Sequence, residues 1–165
     1  MDTKTLIVAP KLQLRTGEWK RGPIQRSQWP SRRAKSKAYK FGPRYQWRII
    51  TFIACGYDCR VRILLNVEAQ IFRATFGVTE DGETKVICDY EWHASEPGWH
   101  CHARCGRVAE IDAAKNRFGS IRLPSARNFH RRQDFKFGNT EINEVTAFNC
   151  AVTVFRIRQG GDLFP

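Results

Sequence analysis

The sequence predicts an α+β protein: an antiparallel β-meander of about five strands, a C-terminal helix packed on one face, and an extended basic N-terminal arm. Three observations predict this class. Stretches rich in apolar and β-branched residues alternate with turn signals from residue 47 onward. Apolar residues recur at helical spacing after residue 140, and residues 1–46 hold 12 lysines and arginines but only 2 acidic residues. We therefore divide the chain into an arm, 1–46, and a single α+β domain, 47–165.

The net charge of the chain indicates what it binds more than how it folds. The 28 lysines and arginines exceed the 16 acidic residues by 12, and most of that excess lies in the arm. An excess of this size is typical of proteins that bind polyanions. No apolar run reaches the roughly 20 residues of a membrane span, and Asp2 opposes the positive start of a secretory signal. We therefore expect a cytoplasmic protein with reduced cysteines and no membrane partner.

The arm is punctuated by prolines. Pro10, Pro23, Pro30 and Pro43 leave no room for a helix of ordinary length between them. We therefore expect residues 10–46 to be extended. The short apolar run 6–9 in front of them is predicted to add an edge strand.

Aromatic and basic side chains are interleaved in the arm, which favours binding to nucleic acid over mere solubility. Cations attract phosphates, and unpaired bases stack on aromatic faces. A second basic stretch, near residue 131, extends the same set. The predicted nucleic-acid-binding residues are Trp19, Lys20, Arg21, Trp29, Arg32, Arg33, Tyr39, Lys40, Arg44, Arg131 and Arg132. The alternative is an arm that wraps its own domain or binds a protein partner.

The first two strands of the predicted meander are residues 48–55 and 59–65. They flank residues 56–58, where Gly56 favours a tight turn, so this segment predicts a β-hairpin.

The apolar run that follows continues to Val78 without a clear breaker. The side on which its apolar residues fall changes near Ile71, which predicts either a β-bulge near that residue or a helix over 65–76. A turn signal at 79–83 ends the run and introduces a second hairpin.

The second hairpin, residues 85–105, holds three of the four histidines. Apolar and polar residues alternate along both of its arms, with Ile87 as the exception. Because the apolar sides of both arms must share the core, the polar sides must share the opposite face. The predicted partners across the hairpin are His93 with Gly98, Glu91 with His100, and Asp89 with His102.

This polar face supports two kinds of chemistry. Imidazoles and carboxylates bind divalent transition metals, here zinc or manganese, and Glu91, His100 and His102 are the predicted ligands. Histidines oriented by carboxylates are also general acids and bases for phosphodiester cleavage. The alternative is a solvated face whose opposite charges pair across strands. The candidate catalytic residues are Asp89, Glu91, His93, His100, His102 and Arg104.

The cysteines suggest a second, weaker metal hypothesis. Two Cys-x3-Cys pairs, Cys55/Cys59 and Cys101/Cys105, allow a four-thiolate zinc site, although the usual spacing is two residues. Inert buried thiols are the default alternative. Of the other cysteines, Cys88 and Cys150 are expected to lie in the core.

The C-terminal third begins with an irregular basic connection over 107–138. Thr140 is the predicted N-cap of the helix that follows. The predicted apolar face of this helix consists of Ile142, Val145, Phe148, Val152 and Phe155.

Three functions follow from these patterns. The first is binding of RNA or single-stranded DNA through the basic aromatic arm. The second is a nuclease-like hydrolase, with or without a metal, centred on the Asp/Glu/His face of the 85–105 hairpin. The third is an interaction subunit of a ribonucleoprotein or protein complex. The sequence alone leaves open whether the chain is an enzyme.

Overall fold

The structure is a computed structural model that describes residues 1–31, 41–92, 101–103, 107–111 and 141–157, and the backbone of residues 38–39 and 99–100. Its elements, in chain order, are α1 (Thr3–Val8), β1 (Leu12–Thr16), β2 (Lys20–Arg21), β3 (Ile24–Gln25), β4 (Ala38–Tyr39), β5 (Gln46–Ala54), β6 (Tyr57–Asn66), β7 (Ile71–Glu80), β8 (Glu83–Trp92), β9 (Trp99–Ala103), a single 3-10 turn (Val108–Glu110) and α2 (Glu144–Val154).

The consecutive strands β5 to β9 form the antiparallel meander that the sequence predicts. β1 and β2 both pair with the edge of β5 that faces away from β6, so the sheet is open and has seven strands. β3 and β4 form a separate two-stranded ladder. With α2 the architecture is α+β, as predicted. Neither described helix has the length and apolar character needed to cross a membrane.

The main core lies between one face of the sheet and the two helices. Phe76 is at its centre, with its ring centroid 5.6 Å from Phe52 and 5.4 Å from Phe155, which follows α2. Leu6 of α1 and Ala147 of α2 are buried against the same sheet face. The predicted burial of Cys88 and Cys150 is confirmed, since each is 1% exposed.

A second, smaller core covers part of the other sheet face. Its strand residues are Trp47, Ile49, Leu64 and Val86, and the segment before β4 adds Ile24 and Trp29. The described part of residues 10–46 therefore pairs with the sheet edge and packs on its face. The arm as a whole is not tested, because residues 32–37 and 40 lie outside the described part of the chain.

The prediction of an edge strand at residues 6–9 was wrong, because this run belongs to α1. Asp2 caps the helix, its Oδ1 accepting a hydrogen bond from the Thr5 amide at 2.8 Å. At the other end Lys11 Nζ donates to the carbonyls of Leu6, Ile7 and Ala9. Side chains thus hydrogen-bond the free backbone groups at both ends of this short helix. A count of apolar residues does not reveal such bonds.

The first predicted hairpin is present, but its turn lies earlier than expected. Ala54 pairs with Tyr57, so the loop is Cys55 and Gly56 alone. Both have positive φ, 51° and 80°, as a two-residue turn of the primed type requires. Residues 57 and 58 therefore belong to β6.

The run predicted to continue to Val78 is two strands joined by a turn at residues 67–70, and the helix over 65–76 was wrong. Asn66 Oδ1 accepts a hydrogen bond from the Ala69 amide at 3.1 Å, and Gln70 adopts a φ of 49°. An asparagine side chain can form such a turn without glycine or proline.

The β-bulge predicted near Ile71 was wrong, and the β7–β8 ladder has its irregularity further along. The register shifts between Phe76 and Gly77, which pair with Cys88 and Val86 respectively. Ile87 is the additional residue on β8. This explains why it breaks the alternation of that strand, since Ile87 and Cys88 both join the main core.

The helix α2 begins later than predicted. Its N-cap is Asn143, whose side chain accepts from the amides of Val145 and Thr146, rather than Thr140. An asparagine three residues nearer the helix provides the cap geometry directly. The predicted face is also partly wrong, since Val145 is 67% exposed. The buried helix residues are Ala147, Cys150 and Ala151.

Candidate functional site

A row of polar side chains lies on the sheet face that also carries the second core. Cross-strand pairing places Arg62, Thr75, Asp89 and His102 side by side on four successive strands. The apolar Ile49 of β5 continues the same line. The neighbouring line carries Arg73, Glu91 and the backbone position of His100. Four residues from these two neighbouring lines, Arg73, Asp89, Glu91 and His102, are called the polar row below.

The register predicted for the second hairpin is confirmed where the structure describes it. Asp89 pairs with His102, and Glu91 pairs with His100. Of the other predicted catalytic residues, His93 and Arg104 lie outside the described residues, and only the backbone of His100 is described. Asp89, Glu91 and His102 are therefore the members that the structure brings together.

Asp89 is fully buried, with a side-chain exposure of 0%. Its Oδ2 accepts a hydrogen bond from the Arg73 guanidinium, while its Oδ1 has no hydrogen-bond partner within the described chain. Arg73 Nε lies 3.6 Å from Glu91 Oε2, so the guanidinium bridges both carboxylates. Burial alone would lower the pKa of Arg73, but Asp89 and Glu91 raise it above its usual value.

His102 and Glu91 form a partly exposed contact beside the buried Asp89. His102 Nε2 lies 3.1 Å from Glu91 Oε1, and the two side chains are 20% and 19% exposed. The hydrogen bond with Glu91 raises the pKa of His102, against the opposing effect of burial. The imidazole therefore holds its proton to higher pH than a free histidine does, which suits a proton donor near neutrality.

The described residues contain no group of three or more His, Cys, Asp or Glu side chains arranged to hold a metal ion. Of the predicted ligands, Glu91 and His102 are in contact, and the side chain of His100 is not described. A zinc or manganese site at this position stays a prediction.

The cysteines do not converge as a four-thiolate site needs, as far as they are described. Cys55 is exposed in a turn, whereas Cys59 is buried, and burial raises the pKa of its thiol to about 12. A buried thiol with that pKa is a poor source of thiolate. The Sγ atom of Cys101 lies 3.9 Å from that of Cys88 instead. Cys105 is not among the described residues.

The predicted nucleic-acid-binding residues occupy different environments. Lys20 and Arg21 are exposed on β2, and Arg44 is exposed beside Glu68 at 3.4 Å. Trp29 is 2% exposed in the second core, so its ring is closed to stacking with a base. Trp19 is partly buried. The structure gives only the backbone of Tyr39, and Arg32, Arg33, Lys40, Arg131 and Arg132 fall outside the described part.

The structure adds two cations that the sequence analysis did not single out. Arg15 and Arg26 are exposed, as Lys20 and Arg21 are, and we call these four residues the basic rim. The sequence feature that could have identified Arg15 and Arg26 is the scarcity of acidic residues around them, since Glu18 is the one acidic residue between Asp2 and Asp58.

No protein-family model, curated protein or solved structure matches this chain.

Proposed function

We propose that this chain binds nucleic acid, RNA or single-stranded DNA, through the basic rim. The observation that carries the proposal is that Arg15, Lys20, Arg21 and Arg26 are all exposed along a segment whose one acidic residue is Glu18. Cations that lack acidic neighbours contribute little to folding, but each can neutralise a phosphate and release a counterion.

The burial of Trp29 changes how this binding is expected to work. A ring closed within the second core cannot act as a stacking platform, so phosphate contacts with the rim supply most of the affinity. Among the described aromatic side chains of the predicted set, Trp19 is partly exposed where it packs against the main core, so it is the one that can contact a base.

The test is the salt dependence of binding. Fluorescence anisotropy with a labelled single-stranded RNA is measured over a salt series for the native protein, for Lys20→Glu/Arg21→Glu, and for Lys4→Glu. Lys4, an exposed cation on α1 that is not part of the basic rim, is the control. Losing two phosphate contacts should reduce the slope of log K against log salt by about 1.4. A slope that is flat in the native protein, or equally reduced in the control, would contradict the proposal.

A second candidate, a nuclease-like hydrolase, is favoured by the contact between Glu91 and His102 beside the buried Asp89. In this proposal Glu91 accepts the proton of the attacking hydroxyl or water. His102 donates a proton to the leaving oxygen as the phosphorus–oxygen bond breaks. Arg73 holds Asp89 and Glu91 in place.

Cleavage of labelled RNA and DNA with and without a chelator tests this second candidate. Glu91→Gln and His102→Asn should each remove at least about 99% of any cleavage, since acid or base groups typically contribute 100-fold or more. Glu80→Gln, in an ion pair with Lys85 at the opposite end of β7, is the control. Native protein without cleavage activity would exclude the hydrolase and leave the binding proposal intact.

A further inference from the structure

Two cysteine side chains, Cys88 of β8 and Cys101 of β9, are in contact on the sheet face that carries the main core. Their Sγ atoms lie 3.9 Å apart, and both residues are free thiols. Cys88 pairs with Ala103 and Cys101 pairs with Tyr90, so the two cysteines are diagonal neighbours across the ladder. The sequence pattern joins Cys101 to Cys105 and does not indicate this contact, which arises only when the strands pair.

The two thiols differ in their access to solvent. Cys88 is 1% exposed, whereas Cys101 is partly exposed. An oxidant in solution therefore reaches Cys101 more readily, and the sulfur of Cys88 is already in contact with it. An accessible cysteine beside a second, resolving cysteine is the arrangement found at reversible oxidation sites.

The two sulfurs need only a small movement to form a bond. A disulfide bond is about 2.05 Å long, so the Sγ atoms have to approach each other by about 1.9 Å. Rotation of the two side chains and a shift of β9 supply this movement. β9 ends the order of the strands and, in the described part of the chain, pairs with β8 alone. A strand held on one side moves more easily than a strand paired on both.

We propose that Cys88 and Cys101 form a reversible oxidation site, which a hydroperoxide converts into a disulfide that fixes β9 to β8. The Cys101 sulfur attacks one oxygen of hydrogen peroxide, the O–O bond breaks, and the departing hydroxide takes the thiol proton and leaves as water. The Cys88 sulfur then attacks the sulfur of the resulting sulfenic acid. The S–S bond forms, and the sulfenic oxygen leaves with the Cys88 proton as a second water. Two thiols have then lost two electrons to the peroxide, and a dithiol reductant reverses the change.

The disulfide also acts on the polar row through the strand that carries His102. Cys101 directly precedes His102 on β9, and their side chains point to opposite faces of the sheet. His102 reaches Glu91 of β8 on its own face. A covalent link between the same two strands restricts their separation in local opening, so oxidation holds the His102 and Glu91 pair together more firmly.

The experiment oxidises the whole chain with hydrogen peroxide, alkylates the remaining thiols under denaturing conditions, and maps the cysteines by mass spectrometry. Trypsin cuts after Lys85 and Arg104 and nowhere between them, so both cysteines fall in one peptide, 86–104. The disulfide lowers the mass of this peptide by two hydrogen atoms and prevents its alkylation. Cleavage after Glu91 then leaves two fragments that stay joined through the sulfurs.

Four single variants show which sulfur reacts first. Cys88→Ala and Cys101→Ala each remove one member of the pair. Cys150→Ala, at a core position that is also 1% exposed, is the control for Cys88, and Cys55→Ala, at an exposed position, is the control for Cys101. Cys88→Ala should stop at the sulfenic acid of Cys101, which dimedone traps, whereas Cys101→Ala should leave the buried Cys88 unoxidised. Circular dichroism verifies that each variant is folded.

The native protein and both controls should form the disulfide within peptide 86–104 and lose it after treatment with dithiothreitol. Amide hydrogen exchange of β9, followed by NMR, should be about 10-fold or more slower in the oxidised protein. Native protein whose peptide 86–104 takes up two alkyl groups after oxidation would overturn the proposal, as would a disulfide from Cys101 to Cys105, and neither result depends on whether the variants fold. A disulfide without slower exchange would overturn the fixation of β9.

Discussion

His102 Nε2 lies 3.1 Å from Oε1 of Glu91, its diagonal neighbour across the β8–β9 ladder. Directly opposite His102 is Asp89, which is buried and bound to Arg73. The histidine is thus held by one carboxylate and lies beside a second. The contact with Glu91 therefore links the protonation of His102 to the stability of the fold.

Replacing Glu91 with glutamine should lower the pKa of His102, because the hydrogen bond to the carboxylate raises it in the native protein. The resonance of the imidazole Cε1 proton, followed by NMR over a pH series, measures this directly. Glu80→Gln should leave the titration unchanged, since Glu80 pairs with Lys85.

The same contact predicts a pH-dependent stability. A histidine whose pKa is raised by folding contributes stability that is complete below its unfolded pKa, about 6.5, and is lost as the pH rises through the folded pKa. The stability difference between the native protein and Glu91→Gln should therefore be largest in mild acid and shrink above neutrality. Urea titrations at several pH values test this, and a difference that grows with pH would contradict it.

Substituting Asp89 with asparagine should destabilise the fold by about 2–3 kcal/mol. Breaking a buried ion pair typically costs about 3–5 kcal/mol, and the lower figure reflects an Arg73 side chain that is 40% exposed. Asp58→Asn, which alters the more exposed pair with Arg60, should cost about 1 kcal/mol or less. Equal losses in the two variants would show that burial of Asp89 does not strengthen its pairing.

Truncating Trp29 to alanine should lower the free energy of unfolding by about 3–5 kcal/mol, because the ring fills the second core. Any loss of nucleic-acid binding should follow the loss of folded protein. Chemical denaturation followed by tryptophan fluorescence, together with anisotropy in denaturant-free buffer, separates the two effects. A stable, folded Trp29→Ala protein with weakened binding would show instead that the indole contacts the ligand.

Introducing alanine at Gly77 should cost about 1–3 kcal/mol through overpacking. A Cβ there would lie 2.4 Å from Thr84 Cγ2 and 3.3 Å from the Trp29 ring. Thr84→Ser removes the clashing methyl group, so the double variant should recover part of the loss. Thermal unfolding of both single variants and the double variant measures this coupling, and strictly additive effects would argue against the clash.

The sequence was sufficient where local alternation carried the information. The sequence predicts Asp89 opposite His102 because polar and apolar side chains alternate along both arms of the hairpin, and a shift of one residue would put the polar side chains of one arm on the same face as the apolar side chains of the other. The same rule identified Ile87 as an exception, and the structure gives the bulge as its cause.

The sequence was insufficient where the structure depends on distant contacts. Nothing local to Trp29 indicates that it packs beside Trp47 and Leu64, which are close only after the strands pair. The turn before β7 has neither glycine nor proline, and its Gln70 side chain exchanges two hydrogen bonds with the backbone of Ile142, 72 residues later in the chain. Hydrophobic periodicity does not encode either contact.

The bulge on β8 also determines where this chain tolerates a change of length. Ile87 is the residue that its partner strand does not match, so removing it would restore regular pairing and leave Val86 and Asp89 on their present face. Loss of a residue between Asp89 and Trp92 would instead turn every later side chain of the strand to the opposite face. Deletion of Ile87 alone is therefore compatible with the side-chain orientations in both cores, at the cost of one buried isoleucine side chain.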